Sequence, residues 1–290
     1  MLHTRLCTLK RQFVEERRKA FHRFTPLSAA SSQLSATSSS SMFPLLSRFH
    51  IYIYMDLIIA TYPKAGTTWT QEVYKRALTQ VRMPFLEMTS LDGSSSGMFN
   101  RTKNWLLEVM DPPRVIKTHL PIQLVPRSFW DAGCYTVHMA RNPKGTVVSY
   151  YHFDRMNLHQ LEPGPWPQYL EKFMSGQLGW GSWYDHVKGY WRERHNKKIL
   201  YIFYEDMKLP TLLNSSDGSY KKISAMRENP MANYSTIPDT IFDRTNLFLF
   251  YFIGEAGDWK NHFSAEEDAA FEEHDLKIMA DCPIPIRFTI

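Results

Sequence analysis

Residues 51–69 constrain this chain more than any other stretch. Ile51–Thr61 is an apolar, β-branched run broken only by Asp56. Tyr62-Pro-Lys-Ala-Gly66 then turns sharply, and helix-compatible residues resume at Thr67. A run apolar at nearly every position fits a strand covered on both faces. A strand that enters a tight glycine turn and leaves as a helix is a unit of parallel α/β architecture.

The rest of the chain repeats that alternation. Helical character is expected over Thr68–Val81, Thr146–Asn157, Trp166–Ser175 and Trp180–His195. Strands are expected at Arg114–Thr118, Cys134–Ala140 and Ile199–Tyr204. The expected fold is therefore α/β: a single domain over 51–290, with a central, mainly parallel sheet flanked by helices. Ligands of such sheets bind at the strand ends. Residues 1–50 form a separate, atypical segment. Thr8–Phe24 is basic and Leu27–Ser41 is Ser-rich, a composition that favours disorder. A transit-peptide reading of this segment is weakened by Glu15 and Glu16. Pro210–Lys222 is polar and turn-rich.

Charge narrows the function classes. The net charge is +5, but residues 1–55 alone carry +6, so the remainder is near neutral. A globally basic nucleic-acid-binding domain is disfavoured. Cys7, Cys134 and Cys282 are odd in number and far apart, which fits a reducing compartment and a cytoplasmic location. No CxxC pair or HExxH motif appears, so no metal is expected. The longest apolar runs, Ile51–Ala60 and Leu247–Ile253, are too short to span a bilayer, so no membrane partner is expected.

Three segments carry candidate chemistry. In Thr61–Trp69, a helix start would offer unpaired N–H groups to an anion. Lys64 would add charge, Thr67 and Thr68 hydroxyls, and Trp69 a flat face for a purine. Gly66 would let backbone approach a phosphate. The spacing is not the Walker pattern G-x-x-x-x-G-K-S/T, which disfavours a P-loop kinase. On these residues alone, a phosphate loop and a plain strand–turn–helix connection both remain open. Lys117 and His119 follow the second strand, where an imidazole could remove a proton near neutral pH. Arg141 follows the third strand, with Ser149 eight residues later. A guanidinium fork there suits a phosphate, although a surface turn explains the segment equally well.

Thr61–Trp69 (TYPKAGTTW), Lys117–Pro121 (KTHLP), Arg141–Lys144 (RNPK), Val148–Met156 (VSYYHFDRM), Phe203–Met207 (FYEDM) and Gly257–Phe263 (GDWKNHF) occur in this order. Together they closely resemble the cytosolic sulfotransferases, and most of all the phenol-type group. The resemblance implies a P-loop-like phosphate site in a single α/β domain. It implies transfer of a sulfuryl group from 3′-phosphoadenosine 5′-phosphosulfate (PAPS) to a small acceptor: a phenol, a steroid or a thyroid-hormone-like phenol. It gives His119 the role of general base, with Lys64 and Lys117 stabilising charge. Lys64, Ala65, Gly66, Thr67, Thr68, Trp69, Arg141, Ser149, Tyr204 and Gly254 would hold the cofactor. Phe85, Phe153 and Trp180 would wall the acceptor pocket around Lys117 and His119.

The sequence departs from the family in three places. The family's segment ahead of the phosphate loop is not recognisable. Lys208–Lys222 is too short for the family's intervening helix, and Lys221-Lys222-Ile223 stands where Thr-Ser-Phe is usual, before Asn229–Tyr234 resumes the resemblance. Of the Arg-Lys-Gly that grips the cofactor's 3′-phosphate only Gly254 remains, after Phe252 and Ile253. Each lost charge-assisted bond costs about 1.5–3 kcal/mol. The alternative function is therefore a catalytically impaired relative that binds PAPS or its desulfated product PAP, or acts as a scaffold. In that reading the chain is a variant or misassembled gene model lacking part of the grip. The dimer motif is eroded: Lys260 matches, while Ser264, Ala265 and Ala269 do not, which weakens the case for a homodimer.

Overall fold

Among the described residues four short strands share one sheet, and every neighbouring pair is parallel. The computed structural model describes residues 56–73, 83–87, 110, 114–158, 160–208, 240–243 and 256–289. In chain order its strands are β1 (Leu57–Thr61), β2 (Val115–Thr118), β3 (Tyr135–Ala140) and β4 (Ile199–Phe203). The spatial order is β2-β1-β3-β4. The main helices are α1 (Thr67–Val73), α2 (Arg127–Asp131), α3 (Pro143–Met156), α4 (Trp166–Met174), α5 (Trp183–Glu193) and α6 (Ala265–Met279).

β1 is buried at all five positions, as its uninterrupted apolar sequence demands. Its Ile58 and Ala60 pack with Ile116, Phe129 and Tyr190 on one side of the sheet. Leu57 and Ile59 pack with Val137, Met139 and Ile202 on the other. Asp56, the polar break in the run, is fully buried and paired. Its carboxylate accepts from the Arg114 backbone N–H at 2.7 Å and from Arg114 Nη2 at 2.7 Å. The pair ties the N-terminal ends of β1 and β2 together.

Several helix limits differ from the sequence expectation, and capping explains them. α3 begins at Pro143 rather than Thr146, because Asn142 caps it by accepting from Gly145 N at 3.2 Å. α5 begins at Trp183 rather than Trp180. Gly181 has φ 74, and Ser182 then caps the helix by accepting from Asp185 N at 3.1 Å. Trp180 thus lies in the turn before α5. α2 and α6 were not expected. The expectations for residues 1–55, 74–81, Pro210–Lys222, Asn229–Tyr234, Phe252, Ile253 and Gly254 lie outside the described residues. Among the described residues, no helix is long and apolar enough to cross a membrane.

β1 lies between β2 and β3, so the chain leaves it at a point where the sheet order reverses direction. A crevice forms at the carboxyl ends of strands at such a point. Every candidate residue adjoining a strand end falls there: Lys64 after β1, His119 after β2, Arg141 after β3 and Tyr204 after β4.

Candidate active site

The loop from Tyr62 to Gly66 is tightly wound. The Ala65 N–H donates to the Tyr62 carbonyl at 3.1 Å. Lys64 has φ 67, the single non-glycine positive φ among the described residues, and Gly66 has φ 108. Left-handed conformations at such spacing make concave anion-binding backbone. At Gly66 the need for glycine is also steric. A Cβ there would lie 2.6 Å from Met139 Sδ and 2.8 Å from Tyr204 Cδ2. The strained Lys64 carbonyl is braced by Arg141, whose Nη1 donates to it at 3.0 Å. The Arg141 guanidinium in turn lies 4.5 Å from the Tyr204 ring centroid.

His119 is held from two directions. Its Nδ1 lies 2.8 Å from the Thr61 carbonyl oxygen, which can only accept, so Nδ1 carries the proton and donates. Nε2 is then the acceptor nitrogen of the neutral ring. On the backbone side, the His119 N–H donates to Glu87 Oε1 at 2.6 Å, and the Thr118 hydroxyl donates to Glu87 Oε2 at 2.9 Å. The Thr61 hydroxyl lies 2.6 Å from the Thr67 hydroxyl, which joins this network to the phosphate-loop helix.

The electrostatics favour a neutral imidazole among cations. Burial, then the charges of Lys117 and Lys64, push the His119 pKa down to about 4, although the Thr61 hydrogen bond opposes them. Burial lowers Lys117 to about 8 against the pull of Glu87. Lys64 falls well below its ordinary value through burial and Arg141, with Asp154 opposing. Burial raises Glu87, although its hydrogen bonds from His119 and Thr118 counteract this.

Aromatic rings surround these cations. Phe85 lies 4.9 Å and Trp180 5.2 Å from the His119 ring, centroid to centroid. Lys117 Nζ sits 4.3 Å over Phe85, and Lys64 Nζ sits 4.4 Å over Phe153. Phe153 also meets Phe242 at 5.6 Å. The structure thus brings together Lys64, Lys117, His119, Phe85 and Trp180, with Phe153 beside Lys64. Thr67 and Thr68 are partly exposed in the first turn of α1, and Ser149 is buried in α3. Trp69 is 3% exposed and meets Tyr204 edge-on at 5.2 Å, within the core beside Met139 and Met207. Gly254 lies outside the described residues.

Glu87 and Phe242 escaped the sequence reading. The signal for Glu87 was a lone acid two residues beyond Phe85, in a segment that the structure pairs with β2. There Leu86 N donates to the Lys117 carbonyl at 2.8 Å, and Lys117 N donates to the Pro84 carbonyl at 3.0 Å. The positions of the eroded dimer motif have local roles. Lys260 lies in a short 3-10 turn, and Ser264 caps α6, accepting from Glu267 N at 3.1 Å. Chemically, two ammonium groups, a guanidinium and several hydroxyls around one crevice suit a phosphate or sulfonate group.

Comparison with known proteins agrees with this arrangement. The family model described as the sulfotransferase domain matches residues 55–211 and 219–283. Sulfotransferase 1B1 of Canis lupus familiaris is 39% identical over 264 residues, covering 81% of this chain and 87% of the relative. Sulfotransferase 1C2 of Homo sapiens is 40% identical over 250 residues, covering 75% and 81%. Among solved structures, a mouse sulfotransferase, SULT7A1, complexed with PAP, superposes with a TM-score of 0.56 at 25% identity, covering 83% of this chain and 91% of that one. A retinol dehydratase shares the fold with a TM-score of 0.63 at 23% identity, covering 80% and 83%. The parallel sheet, the loop at its switch point and the extent of matched sequence lead to one assignment: this chain belongs to the sulfotransferase family and resembles its family 1 members.

Proposed function

We propose that this protein transfers the sulfonate group of PAPS to the hydroxyl of a small phenolic acceptor, with His119 as general base. The observation that carries the reading is the commitment of His119 Nδ1 to the Thr61 carbonyl at 2.8 Å. It leaves Nε2 as the proton acceptor, within an aromatic surround that suits a planar ring. PAPS is the co-substrate that brings the electrophilic sulfur and a phosphate leaving group. The residues fit it: the loop at Lys64–Gly66 is curled as anion-binding loops are, and Met139 Sδ and the Tyr204 ring leave no room for a side chain at Gly66.

Each residue then has a task. Lys64 and Lys117 supply positive charge where a sulfonyl transfer spreads negative charge. Thr67 and Thr68 offer hydroxyls to a 5′-phosphate, and Arg141 and Ser149 to a 3′-phosphate. Tyr204 adjoins the adenosine side, and buried Trp69 backs it. Phe85, Phe153 and Trp180 orient the acceptor, and neutral His119 takes its proton at Nε2. A cytoplasmic location rests on the family resemblance and the scattered cysteines.

The reading is tested by calorimetric titration with PAP. Tight binding by the parent, weakened about tenfold or more by Arg141→Ala or Ser149→Ala, is the expected result. A second reading, an impaired PAP-binding or scaffold relative, is favoured by Phe252 and Ile253 standing where the family has Arg and Lys. That reading predicts PAP binding without turnover, or no binding at all.

A further inference from the structure

Tyr62 belongs to the phosphate loop through its backbone and to the acceptor side through its side chain. Its carbonyl takes the Ala65 N–H at 3.1 Å. Its hydroxyl donates to the Gly181 carbonyl at 2.9 Å, across 119 positions of sequence. The ring between them is buried and held edge-on by Tyr150 at 6.1 Å, Phe173 at 6.1 Å and His186 at 5.6 Å. A phenol fixed on three sides offers its hydroxyl at one point, and such a group is costly to bury unless paired. The segment it reaches is the turn of residues 175–182 between α4 and α5. Gly176 and Gly181 hold φ 72 and φ 74 there, and the Gly181 N–H closes the turn on the Leu178 carbonyl at 2.8 Å. Trp180 lies in this turn, outside both helices, so no helical ladder fixes its direction. Its indole meets the His119 ring edge-on at 5.2 Å, opposite the 4.9 Å contact from Phe85. Among the described residues, the Tyr62 bond is the hydrogen bond that reaches this turn from outside it and its two helices.

We infer that Tyr62 is a positioning residue for Trp180: its hydroxyl pins the turn that sets the indole against His119, and so fixes the slot that takes a planar acceptor. The inference rests on the proposed roles of Trp180 and His119 and deepens them. Tyr62 acts through the turn, and the slot is defined only while Trp180 keeps its place opposite Phe85. Freeing the Gly181 carbonyl lets the indole sample other directions, which weakens a ring-shaped acceptor more than it weakens the cofactor. The cofactor side is spared because the loop's own closure, from Ala65 N–H to the Tyr62 carbonyl, is backbone and survives loss of the hydroxyl. The acceptor pocket is thereby tied to the first residue of the phosphate loop.

The test is a double-mutant cycle on acceptor binding by the full chain. Calorimetry measures 4-nitrophenol binding, with PAP present, to the parent, Tyr62→Phe, Trp180→Ala and the double variant. Tyr62→Phe is expected to weaken phenol binding about fivefold, with PAP affinity within about twofold of the parent. In the Trp180→Ala background the same change should shift phenol affinity by less than about twofold, because the ring it places is gone. A general structural loss would act equally in both backgrounds. Unchanged phenol affinity in Tyr62→Phe, an equal effect in both backgrounds, or a PAP affinity that falls as far as the phenol affinity overturns the inference. A parent that binds the phenol but transfers no sulfonate overturns the transferase reading instead, and the binding cycle still decides the role of Tyr62.

Discussion

At the scale of the residue, the site depends on groups that do no chemistry themselves. Glu87 takes the backbone N–H of His119 and the hydroxyl of Thr118, so it fixes where the imidazole begins. Glu87→Ala should therefore lower kcat by about tenfold or more while leaving the acceptor KM nearly unchanged, because misplacing a reacting group acts on the transition state. Steady-state rates across acceptor concentrations check this. Gly66 is constrained twice, by φ 108 and by Met139 Sδ, which would lie 2.6 Å from a Cβ. Gly66→Ala should cost roughly 1–3 kcal/mol of stability, read from urea unfolding. His119, Lys64 and Arg141 were legible in the sequence because each follows a strand. Glu87 was not legible, since its partner lies 32 residues away and only the sheet brings them together. The flat face offered by Trp69 was a reasonable expectation for a purine. In the structure that indole is 3% exposed and meets Tyr204 edge-on at 5.2 Å.

At the scale of the element, β-branched runs and strand–helix alternation disclosed the parallel strands. α6 gave no such signal. Of its fifteen residues only Phe271 is buried, so it carries no apolar stripe. Phe271, with the partly buried Ile278 and Met279, packs on the core, and ionic contacts supply the rest of its docking. Lys144, fully buried on α3, forms ion pairs with Asp268 and Glu272 of α6 and lies 4.4 Å over the Trp259 ring. In the sequence, Lys144 reads as another surface lysine of the RNPK turn. Lys144→Met keeps the stem and removes the charge. Its carboxylate partners are 35% and 61% exposed and can rehydrate, so the cost should be only about 1–2 kcal/mol. Hydrogen exchange over 265–279 should rise selectively. Uniform exchange across the chain would contradict this role for Lys144.

At the scale of the whole molecule, several histidines are folded in as neutral rings. His138 and His186 are buried with ring nitrogens 3.4 Å apart, and His138 stacks on Tyr190 at 4.4 Å. Burial lowers His138 well below its ordinary value and His186 to about 3. His119 and His152 fall to about 4. Folded values below the unfolded value give stability that is full above about 6.5 and lost as pH falls through the interval down to about 3–4. Protonating these rings as pH falls from 7 to 5 should therefore lower stability. Asp154, Glu87 and Glu205, raised by burial, oppose the trend. Thermal melts should show Tm falling from pH 7 to pH 5, with a shallower fall in His138→Phe. A parent whose Tm is flat over that range would contradict the burial of neutral rings. The sequence counted eleven histidines but could not separate these, because burial depends on how β3 and α5 meet.

The charge arrangement joins the three scales. The excess of positive charge lies in residues 1–55, while the body focuses Lys64, Lys117 and Arg141 on one switch-point crevice. The most direct measurement is transfer of ³⁵S-labelled sulfonate from PAPS to 4-nitrophenol at neutral pH, comparing the parent with His119→Ala. The account predicts labelled aryl sulfate from the parent and a loss of about a hundredfold or more in the variant, with PAP affinity retained. Equal transfer by both proteins, or none by a parent that binds PAP, would contradict it.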